Sequence, residues 1–113
     1  MKWQIVFYKD ADGSQPVKDF ILSQPHSAIG EILHVFDLLY KFELSLGWPY
    51  VEKIEGKIWV LRIKHGSDYY RIFYFTFTGR KFILLHAIKK KSDKLPRREI
   101  EVAIRRMITH EAC

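Results

Sequence analysis

Cysteine is nearly missing from this chain. The only one among 113 residues is Cys113, so no disulfide can close within the sequence and no cysteine-ligated metal site can be assembled. Long apolar runs are missing too. No stretch reaches the about 18 unbroken apolar residues of a membrane span, and the opening "MKWQIVFYKDADG" lacks the apolar core of a signal peptide. These absences predict a soluble, unprocessed, cytoplasmic protein with no membrane partner. No HExxH, P-loop or GxSxG pattern occurs, and no two of the five histidines have ligand spacing with a third, which argues against a metal hydrolase and gives no reason to expect a cofactor. Repeats, a long linker and low-complexity segments are likewise missing. A hydrophobic share of 48% suffices for one compact core in a chain this short, so a single domain over 1–113 is expected.

Acidic residues are scarce in one part only. Residues 1–52 carry four lysines against seven acids, a net −3, whereas residues 53–113 carry fifteen Lys or Arg against six acids, a net +9. Such a segregated positive field suits a polyanion, because phosphate contacts release counterions and steer association. Residues 84–106, "LLHAIKKKSDKLPRREIEVAIRR", concentrate it: an apolar run breaks into three lysines, crosses a proline and continues as an arginine-rich amphipathic segment.

Two hydrophobic periods divide the chain. "WQIVFYK" at 3–9 is aromatic and β-branched, ends in the turn "DADGS", and predicts a first strand. Ser14 is placed to cap a short helix carrying Pro16 in its first turn and burying Val17, Phe20 and Ile21. A second helix starts at Ser27, with Ile29, Ile32, Leu33, Phe36, Leu39 and Tyr40 forming an apolar face to about Phe42. From Tyr50 the period becomes two. A short strand at 50–54 precedes "KIWVLRIK", "YYRIFYFTF" and "FILLHAIKK", which are separated by the Gly-containing links "HGSD" and "TGR" and form an antiparallel meander. A last helix begins near Pro96, turns Ile100, Ala103, Ile104, Met107 and Ile108 to the sheet, and points Arg97, Arg98, Arg105 and Arg106 mainly elsewhere. The expected class is α+β: an antiparallel sheet with two N-terminal helices and one C-terminal helix packed on it.

Strand alternation places charges among apolar neighbours. Arg62 and Lys64 share a face with Ile58 and Val60, Arg71 shares one with Phe73 and Phe75, and Leu84, His86, Ile88 and Lys90 alternate with Leu85, Ala87 and Lys89. An arginine inside "YYRIFYF" is costly unless its head reaches solvent, an anion, or a carboxylate such as Asp68 or Glu52. Should Arg62, Lys64, Arg71 and Lys90 converge, they could hold a phosphodiester and neutralise the charge growing on a pentavalent phosphorus. Cutting RNA also needs a base and an acid. Like charge disfavours the protonated form of a lysine, which draws attention to Lys89, Lys90 and Lys91, but no group is an obvious base. His26, His34 and His110 read as structural, and His86 as a satisfied, half-buried histidine. His65, Lys91, Arg97 and Arg98 extend the positive surface as candidate RNA contacts. Trp59, Tyr69, Tyr70 and Tyr74 lie among the cations; most belong to the core, with Tyr69 and Tyr70 the first candidates to stack on unpaired bases.

"KIEGKIWVLRIKHGSDYYRIFYF" followed by "ILLHAIKKKSDKLPRREIEVAIRR" resembles the RelE/HigB superfamily of bacterial toxins, in particular its phage-derived HigB-like branch. "QPVKDFI" and "LGWPYVEKIEG" upstream extend the resemblance over nearly the whole chain. It implies a RelE-like fold and an mRNA interferase that cuts mRNA in the ribosomal A site, without metal, through 2′-hydroxyl attack on the adjacent phosphate. The implied partners are the ribosome, mRNA and a cognate antitoxin, often of helix-turn-helix type. By position, Arg71 resembles the family's phosphate-binding arginine, Arg62 the basic residue of the preceding strand, and Lys89 and Lys90 the basic pair after the last strand. Leu95 stands before Pro96 where a Ser or Thr cap is usual, and no catalytic Tyr or His follows the last strand, so the general base has no assignment. The alternatives are a ParE-like gyrase inhibitor that acts by protein binding, and a non-catalytic RNA- or ribosome-binding module.

Overall fold

The change of period near residue 50 separates a helical half from a sheet-forming half. The computed structural model describes residues 2–112, which leaves Cys113 outside the described residues. In chain order the elements are β1 (Gln4–Phe7), α1 (Pro16–Leu22), α2 (His26–Phe42), β2 (Val51–Glu55), β3 (Ile58–His65), β4 (Asp68–Phe77), β5 (Lys81–Lys90) and α3 (Arg97–Ala112), with a 3-10 turn at Glu43–Ser45. The five strands form one sheet in the order β1-β5-β4-β3-β2. The meander from β2 to β5 is antiparallel as expected, but β1 lies parallel to β5, with Gln4 opposite Lys81 and Phe7 opposite Leu84. The α+β class therefore holds with a mixed edge. Gly56, Gly66 and Gly79 take positive φ in the three hairpin turns, where a side chain would be strained.

Helices cover both faces. Val17, Ala28, Ile32, Val35, Phe36 and Leu39 of α1 and α2 pack with Leu61, Ile63, Tyr70, Ile72 and Leu84. On the other face, Ile100 and Ala103 of α3 pack with Val60, Phe73, Phe75, Ile83 and Leu85. A side chain such as Phe73 or Phe75, with no exposed surface, contributes roughly 1.5–3 kcal/mol by leaving water.

Several local expectations change. The N-cap of α1 is Gln15, without a side-chain cap, because Ser14 turns its hydroxyl to Asp10 at 3.3 Å. Helix α2 buries Ala28 and Val35, while Leu33 and Tyr40 are about half exposed. The two possible stripes share Ile32, Phe36 and Leu39, so either satisfies the helical period. Ile108 faces solvent rather than the sheet. Arg106 does the reverse, donating to the Leu85 carbonyl at 2.9 Å with its guanidinium 5.6 Å from the Tyr8 ring. A register shift in the β4–β5 pairing sets Phe73 opposite His86 and Tyr74 opposite Leu84. Leu85 is thereby left without an opposite residue, and strict alternation fails there. Leu84 packs in the α1/α2 core and Leu85 in the α3 core. His86 also reaches α3, where its Nε2 lies 2.7 Å from Glu99.

That histidine has the satisfied, half-buried character expected of it. It stacks on Phe73 with ring centres 5.8 Å apart, and Glu99 and Arg106 of α3 both approach its ring. Burial lowers the His86 pKa from its ordinary 6.5; the Glu99 hydrogen bond pulls it upward, and Arg106 and Arg105 push it further down. The fold thus prefers the neutral ring, so this stabilisation is complete above about pH 6.5 and is lost as the pH falls below that value. The Glu99 carboxyl is held low by its hydrogen bond to His86, against burial, and its contribution is lost in the same direction at lower pH. The melting temperature is expected to drop between about pH 7.5 and pH 5, and His86→Gln to flatten the slope. An identical slope in the variant would remove His86 as the titrating group.

Candidate functional site

The sheet is short on one side, which opens a cleft. Strand β2 pairs with β3 only as far as Val51 opposite Leu61, with one further bond from the Arg62 N–H to the Tyr50 carbonyl at 2.8 Å. Past that point the β3 edge is bounded by Pro49 and Tyr50 on one side and by Glu31, His34 and Val35 of α2 on the other. Arg62, Ile63 and Lys64 of β3, with Tyr69 and Arg71 of β4, complete a cleft of about 410 Å³.

Arg62 and Arg71 sit directly opposite each other across β3 and β4. Like charges in cross-strand register repel, so the pair needs an anion. Asp93, in the link between β5 and α3, supplies it: its two carboxylate oxygens accept from Nη2 of Arg71 and, at 3.2 Å, from Nη2 of Arg62. Arg71 also donates to the Tyr70 carbonyl at 3.0 Å and lies 5.2 Å from the Tyr69 ring centre. Arg62 donates to the Pro49 carbonyl at 3.0 Å, and its guanidinium carbon is 4.0 Å from the centre of the Trp48 ring. Its Nε is buried without a hydrogen-bond partner; the Glu52 carboxylate, 3.5 Å away, forms an ion pair only. Burial would raise the Asp93 pKa, but the hydrogen bond and charge of Arg71, with Arg62, hold it below the ordinary carboxylate value.

Arg71 differs from expectation in one respect. It lies on the face shared with Phe73 and Phe75, but with 2% of its surface exposed it is a buried cation rather than one held out to solvent. Its partner is Asp93, not Asp68 or Glu52.

The other cations separate into groups. Lys64 lines the cleft, with its ammonium 5.4 Å from the Tyr69 ring centre. Lys90 is opposite Tyr69 in the β4–β5 register but is not part of the cleft wall. Lys89 turns to the other face, with its ammonium 5.8 Å from the buried Tyr70 ring, so the anticipated basic pair is split by strand alternation. Lys89 and Lys91 both pair with Asp68, and the hydrogen bond from Lys91, with the charge of Lys89, holds the Asp68 carboxyl below its ordinary value. His65 contacts the Ser27 hydroxyl at 3.0 Å. Arg97 is bound to Glu55 and Glu101, and Arg98 to Glu99; neither lines the cleft. Tyr70, with 1% exposed, is unable to stack on a base, whereas Tyr69 is half-buried at the cleft.

Sequence reasoning missed Asp93, Glu31, His34 and Trp48. The signal for Asp93 was its isolation, as the only acid in the run "KKKSDKLPRR". Glu31 and His34 are three residues apart on α2, a spacing that puts both on one side of a helix. Among the described residues no group of three or more His, Cys, Asp or Glu gathers to hold a metal, and no helix is long and apolar enough to cross a membrane. The model of the family described as phage-derived protein Gp49-like (DUF891) matches residues 19–108. Comparison with curated proteins finds no match.

Proposed function

This chain belongs to the phage-derived Gp49-like family, within the RelE/Gp49 toxin superfamily, and from that premise we propose that it is the toxin of a toxin–antitoxin pair, of HigB-like type. It acts as a cytoplasmic endoribonuclease that cuts mRNA on the ribosome. The observation that carries this reading is the cross-strand pair of Arg62 and Arg71 sharing one carboxylate at the wall of an open cleft. Two guanidinium groups that converge on a carboxylate are equally suited to a phosphate, since both anions accept the planar fork of donors.

An RNA phosphate takes the place of Asp93 and draws one guanidinium from each strand. Arg71, fixed by the Tyr70 carbonyl and the Tyr69 ring, is preorganised to neutralise charge on the pentavalent phosphorus. Lys64 lies on the same wall and adds a further cation. Among the described residues, His34 brings an imidazole to that wall, whose ring offers one acceptor and one donor nitrogen, and this makes His34 the proton-transfer group for the 2′-hydroxyl in this reading. The reaction is transesterification: the 2′-oxygen bonds to phosphorus, the bond to the 5′-oxygen breaks, and the leaving oxygen takes up a proton. The ribosome orients the nucleotide, and a cognate antitoxin holds the basic face inactive.

Induced expression in bacteria is expected to stop growth, with primer extension showing cuts inside translated transcripts and purified protein leaving free RNA nearly intact. Growth arrest with intact mRNA and gyrase-linked DNA breaks would replace this reading by the gyrase inhibitor. Ribosome binding without cuts would replace it by the non-catalytic module.

A further inference from the structure

The aromatic residues that lie among the cations in sequence are not the ones the fold exposes. Tyr70 and Tyr74 have 1% and 4% of their surface in solvent. Trp59 packs against the α1/α2 core, and Tyr69 is half-buried, with the cations of Arg71 and Lys64 5.2 and 5.4 Å from its ring centre. Trp48, by contrast, is 67% exposed and belongs to neither core cluster.

Its position is nevertheless fixed. The turn that carries it closes through Tyr50 and Val51 N–H bonds to the Gly47 carbonyl at 2.9 and 3.1 Å. Arg62 binds this turn twice, by its side chain to the Pro49 carbonyl at 3.0 Å and by its main chain to the Tyr50 carbonyl at 2.8 Å. The same guanidinium supports the indole, 4.0 Å from the ring centre. An indole stacked on a cation keeps its second face for another planar group, and an exposure of 67% leaves that face to solvent. Arg62 therefore joins two features with one side chain: the anion held beside Arg71 and the free ring beside it.

We propose that Trp48 is a stacking platform for a nucleobase of single-stranded RNA, the base belonging to a nucleotide next to the phosphate at Arg62 and Arg71. This rests on the RNA reading of the cleft and names the contact that takes up the base. Stacking on an indole tolerates any base, since each has a π-face. Trp48 accordingly contributes affinity and positioning, and leaves sequence choice to other contacts.

The test uses the full chain and two short oligoribonucleotides methylated at every 2′-oxygen to block cutting, one complete and one abasic beside a central phosphate. The wild-type protein is expected to bind the complete oligomer about five- to a hundredfold more tightly than the abasic one. Trp48→Ala removes that difference and leaves abasic binding unchanged, while Trp48→Phe restores part of it. Melting temperatures of both variants should stay within a few degrees of the wild type, since the side chain lies outside the core and gives up only its contact with Arg62. If the wild type binds both oligomers equally, or Trp48→Ala still prefers the complete one, the platform is overturned while the phosphate site stands. A Trp48 that instead anchors a protein partner would give that same equal binding. If neither oligomer binds, the RNA reading and the platform fall together. Base-dependent binding without cuts on ribosomes upholds the platform and overturns the nuclease.

Discussion

Arg71→Gln is expected to slow single-turnover cleavage on programmed ribosomes by about a hundredfold to a thousandfold, the usual cost of losing one preorganised transition-state donor. Ribosome affinity should change far less, because one buried side chain adds little to a large electrostatic interface. Arg71→Lys should lie between the two, since an ammonium keeps the charge and loses the fork. Alanine is a poorer probe here. With 2% of Arg71 exposed, truncation opens a void between β4 and the β5–α3 link and leaves Asp93 without one of its two cations, so fold and chemistry would change together. Gln also removes the charge, but it keeps most of the volume and a terminal N–H donor, so it disturbs the packing least. The decisive comparison is rate in the saturated complex against melting temperature for each variant. A Gln variant that is stably folded and cuts at the wild-type rate would make Arg71 a structural residue, one that merely joins β4 to the following link.

The meander was legible because each strand repeats at period two and each turn carries a glycine where φ is positive. Arg62 and Arg71 were legible as charges misplaced in apolar runs, and alternation put each on the correct face. Two things, the partner of Arg71 and the turn of His86 to α3, were not legible because their causes lie far away in the chain. Asp93 is 22 residues from Arg71, and nothing local says which acid a buried cation will find. The split of Lys89 from Lys90 followed from alternation, but the family resemblance had paired them by adjacency. The shift that turns His86 to α3 depends on Glu99 and Arg106, which reach it across 13 and 20 residues. Helix α2 shows a different limit, because two overlapping apolar stripes satisfy the same period and tertiary packing selects between them.

Asp93→Asn is expected to tighten inorganic phosphate binding roughly tenfold and to make thermal stability depend on phosphate. The Asp93 carboxylate occupies the donors that a phosphate would need. Its pKa is lowered from 3.8, so it stays ionised throughout the neutral range, and its contribution to stability is lost only as pH falls through that lowered value. A second anion must therefore displace a negative charge or sit beside it. Two unit charges about 4 Å apart repel by about 4 kcal/mol at an effective dielectric of 20. The Asp93 side chain is 54% exposed, and solvent screening reduces this to about 1–2 kcal/mol. Asparagine keeps an oxygen acceptor for Arg71 and removes the charge. In chloride the variant should melt below the wild type, because only one of the two carboxylate oxygens that accept from the arginines survives as an acceptor and the facing arginines lose their counter-charge. In phosphate at equal ionic strength it should recover most of that loss, while the wild type gains little, since only the variant's arginines await an anion. Titration calorimetry with phosphate and paired thermal melts measure both effects. Equal phosphate affinity in the two proteins, with equal melting shifts, would mean that phosphate does not compete with Asp93, and that the arginine pair is a closed structural bridge rather than the seat of the RNA backbone.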